Sequence, residues 1–430
     1  MKDASLVSEE TPLRTIAEIN ERITTGEVVV CTASEFCDMV RAGEDVSDVD
    51  VITSGTKGIM SGTYSTLSFK ATEPNTFETA RAIWLNDVPA LVGPCPNERL
   101  GWLDLMIFGT AVSRSDQKYG GGHLFRDIIK RRDIEYEIIT NSEQLLHGQI
   151  TLDDMQFAIL SATRNVFKNY SAFVNSNQGC VKTIFSVTCL EGPFKEASFC
   201  GCGEINPLEK DPRLETIGVG TKALFNGALG YITGVGTRSS MQRPNLSGFA
   251  QLNEMDPHYV GGFNTSAGPD VTCSWAIPIP LTSQRVLETA KRTDDQIPLP
   301  IVDVNDRRTI GYARYSDVWT SRHSDVTYDR KACIACEYCQ VEDSCPTGAF
   351  KTSHGINRRE CIECGACLVV CPHAAFRGDL GSVPLNDTRI PVTLRQSDRH
   401  GAQQLMYDLK ARIERGEFLL SYPVDEITLR

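Results

Sequence analysis

The stretch that decides the reading of this chain is CIACEYCQVEDSCP, Cys333–Pro346, followed by CIECGACLVVCP, Cys361–Pro372. Eight of the sixteen cysteines lie here, in two runs of Cys-x2-Cys-x2-Cys that each end in Cys-Pro. Three thiolates on one tight loop cannot close a four-iron cubane, so the spacing assigns the fourth ligand of each [4Fe-4S] cluster to the other run. Cys333, Cys336, Cys339 and Cys371 make one set; Cys361, Cys364, Cys367 and Cys345 make the other. Pro346 and Pro372 turn the chain away, while Gly348 and Gly365 leave it room to wrap an inorganic core. Five residues separate Cys339 from Cys345, against three between Cys367 and Cys371, an insertion that removes no ligand. A disulfide framework does not suit a chain without a secretory signal, and zinc ribbons use pairs of Cys-x2-Cys instead. The expected cofactors are therefore two [4Fe-4S] clusters.

The remainder of the chain bounds what such clusters serve. At 430 residues with 41% hydrophobic content, it is long enough for two or three domains. It shows no run of some 18 apolar residues, so no membrane partner and a cytoplasmic location are expected. A net charge of -12 argues against nucleic acid, because phosphate binding needs a basic surface. Sixteen cysteines in such a chain point to metal or redox chemistry in a reducing setting.

Working outward, residues 1–325 read as a large domain of mixed α/β (α+β) character. A helix is expected over Leu13–Thr24, with Ile16, Ile19 and Ile23 at helical spacing. Val28–Val30 reads as a buried strand, and Thr32 or Ser34 as the cap of a following helix. A strand at Asp50–Thr53 runs into an apparent glycine-rich turn, Ser54–Gly58. Strands and glycine turns dominate from Cys180 to Pro280. Residues 326–378 form the α+β, bacterial-type two-[4Fe-4S] ferredoxin domain. Residues 379–430 do not read as a tail. Leu405, Leu409 and Ile413 give Gly401–Glu417 an apolar helical face, and Phe418–Leu420 reads as a short strand. Both need burial, so this segment should return to the large domain and make the ferredoxin an insertion.

Three stretches of the large domain carry site-like chemistry. In Ser54–Gly58, backbone amides could hold an anion beside Lys57, although the spacing is not that of a P-loop and a plain tight turn reads equally well. In Tyr119–His123, three glycines could admit a ligand, and His123 at a helix start is either a working or a structural residue. Gly218–Ala223 and Gly234–Arg238 read as strand turns lining a site, since the βαβ context of a dinucleotide fold is missing. Of the other eight cysteines, Cys31, Cys37, Cys180, Cys189 and Cys273 have apolar neighbours and read as small core residues. Cys95 lies in a rigid Gly-Pro-Cys-Pro loop, and Cys200 and Cys202 lie in a Cys-Gly-Cys-Gly turn; such loop thiols are either reactive or structural.

Taken together, these stretches resemble the homocysteine biosynthesis family, the aspartate-semialdehyde sulfurtransferases. The resemblance rests on Thr53–Thr56, Trp84–Ala90, Tyr119–His123, Ala162–Asn165, Asn169-Tyr170, Cys200 with Gly203 and Pro207-Leu208, Thr216–Thr221, Gly230-Tyr231, Gly236-Thr237 and Glu414–Val424. It spans nearly the whole chain except the ferredoxin. Such a domain interrupted by a two-cluster ferredoxin is similar to the methanogenesis marker 16 metalloproteins, which implies a methanogenic source.

What the resemblance implies is conversion of an aldehyde to a thiol. Sulfide or a persulfide adds to the carbonyl, and two electrons reduce the adduct. The implied partners are a small anionic aldehyde, a sulfide or persulfide donor and an external low-potential electron donor. Lys57, Arg164 and His123 are candidates to stabilise a developing oxyanion, and Cys95, Cys200 and Cys202 are the candidate thiols. This sequence departs from the family at two thiols. One follows the first glycine-rich stretch, where Met60-Ser61-Gly62 stands; the other would fall within Asn141–Gln149. Sulfoacetaldehyde, giving coenzyme M, therefore stands beside aspartate semialdehyde, giving homocysteine, as a candidate substrate. A non-enzymatic electron-transfer or assembly protein for methanogenesis is the alternative.

Overall fold

The computed structural model describes residues 13–93, 97–319 and 325–429. Local chemistry sets the first elements. The helix Ile16–Thr25 begins at Thr15, whose side chain accepts from the Glu18 N–H while Glu18 returns a bond to the Thr15 N–H. Thr32 and Glu35 do the same for Ala33–Ala42, so Thr32 is the cap. Both helices stop where Gly26 and Gly43 enter the left-handed region.

The fold is mixed α/β, dominated by two sheets. In the larger, Val51–Ile59 lies between the parallel strand Val30–Thr32 and the long antiparallel strand Gly268–Pro280. The sheet then runs antiparallel through Lys222–Phe225, Ala228–Val235, Leu246–Gln251, Met155–Asn165 and Thr63–Lys70 to its far edge at Leu145–Ile150. The smaller sheet has the order Thr309–Arg314, Pro298–Asp303, Ala172–Val174, Ala197–Phe199, Thr388–Arg395, Ser382–Leu385. The chain leaves this sheet at Arg314 and rejoins it at Ser382.

Between those points lies a small unit with its own core of Val326, Val341, Phe350, Ala375 and Phe376. Tyr328, Phe350 and Phe376 meet there with ring centroids 4.9–5.1 Å apart. Its halves repeat one plan: a short helix, Gln340–Ser344 or Ala366–Val370, joins the third cysteine to the fourth. It docks on the larger sheet through Lys118–Asp343, Lys130–Glu360 at 2.8 Å and Asn264 N–H to the Pro346 carbonyl at 2.8 Å.

The closing helix, Arg399–Glu414, lies on Val51–Ile59 and Gly268–Pro280, burying Leu405, Leu409 and Ile413 against Ile19, Ile23 and Val51. Phe418 and Leu420 are buried beside it, but they form no strand. Their anchor is side-chain pairing instead: Asn20 exchanges two hydrogen bonds with the Leu420 backbone.

Other expectations are corrected by packing. Ser54–Gly58 is not a turn but the middle of the nine-residue strand Val51–Ile59, paired along its length with Gly268–Pro280, so it does not form the amide-lined turn read in the sequence. Its glycines serve close approach: a Cβ on Gly55 would sit 2.7 Å from Met406 Cγ, and one on Gly58 would sit 2.8 Å from the Gln396 carbonyl oxygen. Gly121 and Gly122 likewise seat the helix Gly121–Ile129 against Phe108 and Val271 backbone, leaving no room for a ligand. Cys37 and Cys273 are core residues, but Cys180 is exposed, Cys189 is half-buried, and the two form a disulfide with Cα atoms 5.6 Å apart.

Candidate functional site

At the seam between the two sheets lies a cavity of about 630 Å³. The larger sheet gives it Thr56, Gly58–Gly62 and Arg164. The smaller gives Phe173 and, just past strand ends, Cys200, Gly201 and Gln396. Strand alternation decides which residues reach it: Thr56 and Gly58 face inward, whereas Lys57 points to the opposite face. The turn Gly234–Arg238 adds Thr237 and Arg238, but Gly218 is covered by Pro423 and Asp425 and takes no part.

The electrostatics of this cavity are one-sided. Arg164, Arg238, Arg243 and Arg307 line it, and no described lining residue is acidic. Aromatic faces hold three of them: Arg164 over Phe167 at 5.3 Å, Arg243 over Tyr170 at 5.6 Å and Arg307 over Phe185 at 4.4 Å. Burial, then repulsion by Arg238 and Arg243, holds Arg164 below the usual guanidinium range, and burial chiefly lowers Arg307. Arg164 Nε is buried with no hydrogen-bond partner. Four guanidinium forks, three of them exposed and none with an acidic neighbour in the described lining, suit a small anion.

Of the residues singled out in the sequence, the cavity gathers Cys200 and Arg164. Cys200 donates to Gln396 Oε1, and burial raises its thiol well above the usual range, so it stands as S–H. Cys202 is buried behind the wall, donating to the Lys57 carbonyl at 3.6 Å; burial raises it to about 11. Lys57 pairs with Asp398 at 2.9 Å and donates to the His258 carbonyl. His123 lies outside the cavity, its Nδ1 accepting from the Gly120 N–H at 3.2 Å, and burial lowers it to about 4, which keeps it neutral. Cys95 lies outside the described residues.

Two features went unread in the sequence. Arg243 and Arg307 carry no local site pattern, whereas the Gly234–Thr237 turn pointed toward Arg238. Ser61 lines the cavity and donates to Asp270 Oδ2 at 2.7 Å; burial raises that carboxyl to about 6.

A second, smaller cavity lies inside the cysteine-rich unit. Cys345, Cys361, Cys364 and Cys367 line it together with Val326, Phe350 and other apolar groups. Among the described residues, no group of three or more His, Cys, Asp or Glu could hold a single metal ion. The four thiols ring a cavity rather than a point, and that soft all-sulfur donor set in an apolar shell fits an iron–sulfur cluster. The other four cysteines are half-buried, with Cys333, Cys339 and Cys371 on the flank of the small core. One bonded route connects the two cavities. The Cys364 carbonyl accepts from Arg395 N–H at 2.8 Å, and the next residue, Gln396, accepts from Cys200.

Comparison with known proteins gives a consistent picture. A family described as homocysteine biosynthesis enzyme, sulfur-incorporation, matches residues 28–420. An uncharacterized protein of Methanothermobacter thermautotrophicus is 42% identical over 95% of this chain and 94% of its own length. Another from Methanocaldococcus jannaschii is 39% identical over 91% and 99%. The L-aspartate semialdehyde sulfurtransferase of M. jannaschii is 30% identical over 70% of this chain and 62% of its own length. No solved structure matches. Among the described residues, no helix is long and apolar enough to cross a membrane.

Proposed function

Since the chain belongs to the homocysteine biosynthesis, sulfur-incorporation family, we propose that it inserts sulfur into a small anionic aldehyde and reduces the adduct to a thiol. The observation that carries this reading is the seam cavity, whose described lining has four guanidinium groups, one thiol and no acidic residue. The arginines bind the acid group of the substrate and offset charge that grows on the carbonyl oxygen. With sulfide as donor, a carbon–sulfur bond forms at the aldehyde carbon. Two electrons and two protons then complete the step, with the oxygen leaving as water. Ser61, in the cavity wall, donates to Asp270 Oδ2, whose carboxyl burial raises to about 6; below that pH the protonated pair is placed to supply a proton to the departing hydroxyl.

In this reading Cys345, Cys361, Cys364 and Cys367 hold one [4Fe-4S] cluster and Cys333, Cys336, Cys339 and Cys371 a second, within a ferredoxin unit inserted in the smaller sheet. Such clusters supply electrons one at a time from a low-potential donor. The Cys364–Arg395–Gln396–Cys200 route supports the seam cavity as their destination.

The test is anaerobic incubation of reconstituted protein with sulfide, a low-potential reductant and either sulfoacetaldehyde or aspartate semialdehyde, reading thiol product by mass spectrometry. A thiol from one of them is expected. Neither yielding thiol, with cluster absorption intact, would refute the enzyme reading and favour an electron-transfer role. Loss of product in Cys200→Ser would make that thiol part of the chemistry; full activity would point to direct sulfide addition.

A further inference from the structure

The disulfide Cys180–Cys189 closes a loop with two different faces. Its ends pair in the ladder Gly179–Val181 with Leu190–Gly192. Its middle, Ile184 and Phe185, forms part of the wall of the arginine cavity. Phe185 stacks on Phe173 with centroids 3.7 Å apart, and Arg307 lies over both rings. The other face, Ser186–Leu190, lines a crevice with Ala366, Val369 and Val370 on the short helix that joins Cys367 to Cys371. The loop therefore stands between the arginine cavity and the cysteine-rich unit.

The remaining described cysteines outside this pair are free. The clusters proposed for eight of them call for a reducing medium, where a disulfide belongs to the catalytic or redox-sensing kind. Its exposure fits exchange, because Cys180 is open to solvent while Cys189 is half-buried.

We propose that Cys180 and Cys189 are a reversible dithiol–disulfide couple that locks and releases the loop carrying Phe185, and with it the position of Arg307. The reductant is an external dithiol. Its thiolate attacks Cys180 Sγ, the Cys180–Cys189 bond breaks, and Cys189 leaves as a thiolate that takes a proton. The second thiol of the reductant then displaces Cys180 and closes its own disulfide, so two electrons and two protons pass to the protein. With the bond open, the loop is held by Gln396 Nε2 donating to the Ile184 carbonyl at 2.8 Å and by bonds to Ser266 from Thr183 and Ser186. The consequence for ligand binding rests on the reading of the seam cavity as an anion site.

The test uses the full-length chain, isolated anaerobically and equilibrated with mixtures of reduced and oxidised dithiothreitol. Differential alkylation and peptide mass spectrometry read the pair, and hydrogen–deuterium exchange reads residues 181–188. The two cysteines should switch together within the accessible range, with exchange about tenfold faster when reduced. The double variant C180S/C189S should exchange like the reduced protein whatever the mixture. A pair that never forms the bond, or never opens, overturns the proposal, as does equal exchange in both states. Sulfate binding, read by calorimetry, should weaken several-fold on reduction, and equal affinity in both states overturns the link to Arg307. If sulfate binds neither form, the anion-site reading fails while the exchange data still decide the couple.

Discussion

The two cavities of this molecule are built on opposite principles. The seam cavity is large, it is lined by four arginines with no acidic residue among the described lining, and aromatic rings lie under three of them. Arg238, Arg243 and Arg307 are exposed, so the cluster is open to an anion arriving from solvent. The cavity of the cysteine-rich unit is small and apolar, with thiols in place of cations. Its walls would keep water from the soft cluster proposed for it. The pairing teaches that one chain can separate an open, cationic site from a closed, sulfur-lined one, with the strand end at Arg395-Gln396 bonded to both.

Four experiments break or sharpen that contrast. The largest effect is expected from Cys364→Ala, which should remove about half of the reconstituted iron, since one of two four-iron sets loses a ligand. Sulfate binding at the seam should survive, as isothermal calorimetry would show; joint loss of both would mean that the two sites are not separable. Next, Arg307→Ala should weaken sulfate binding by about 3- to 10-fold, as expected for a charge-assisted contact from a solvent-exposed side chain, while the iron content stays unchanged.

Third, Gly58→Ala should destabilise the seam by about 2 kcal/mol in denaturant titration, because the new Cβ meets the Gln396 backbone, which cannot move aside. Gly55→Ala should cost less, since its closest contact is the flexible Met406 side chain and the Ala402 carbonyl oxygen lies farther off at 3.0 Å. Similar losses in both would remove the special place given to the Gln396 approach. The smallest effect concerns Asp270, whose folded pKa of about 6 lies above its ordinary 3.8. Its stabilising contribution is full below pH 3.8 and lost as pH rises through 6. Asp270→Asn should therefore be more stable than the natural protein at pH 7 by about 1 kcal/mol or more, and the gap should close toward pH 4. A gap that does not vary with pH would mean that the carboxyl is not the buried acid assigned to the seam.

The parts legible in the sequence were those with a local signature. The helix caps at Thr15 and Thr32 act within one turn, so their residue types are readable in isolation. The apolar stripe of the closing helix marked a face that needed burial, and Leu405, Leu409 and Ile413 are buried. The glycines misled, because a glycine that frees a turn and a glycine that admits a neighbouring backbone look identical in one dimension. Gly55 and Gly58 serve the second purpose, as their close contacts with Met406 and Gln396 show. Cys180 and Cys189 misled for a related reason: apolar neighbours in sequence suggested a core, but a hairpin ladder places the pair at the surface.

By itself, then, the sequence determined the spacing of eight cysteines, the ends of the early helices and the need of the last segment for a partner, because each depends on residues a few positions apart. Only the tertiary structure decided which residues share the seam. Arg164, Arg243, Arg307 and Gln396 lie on elements far apart in the chain, and strand alternation turned Thr56 toward the cavity and Lys57 away from it. Their convergence follows from the pairing and stacking of two sheets, and that long-range geometry leaves no mark at any single position.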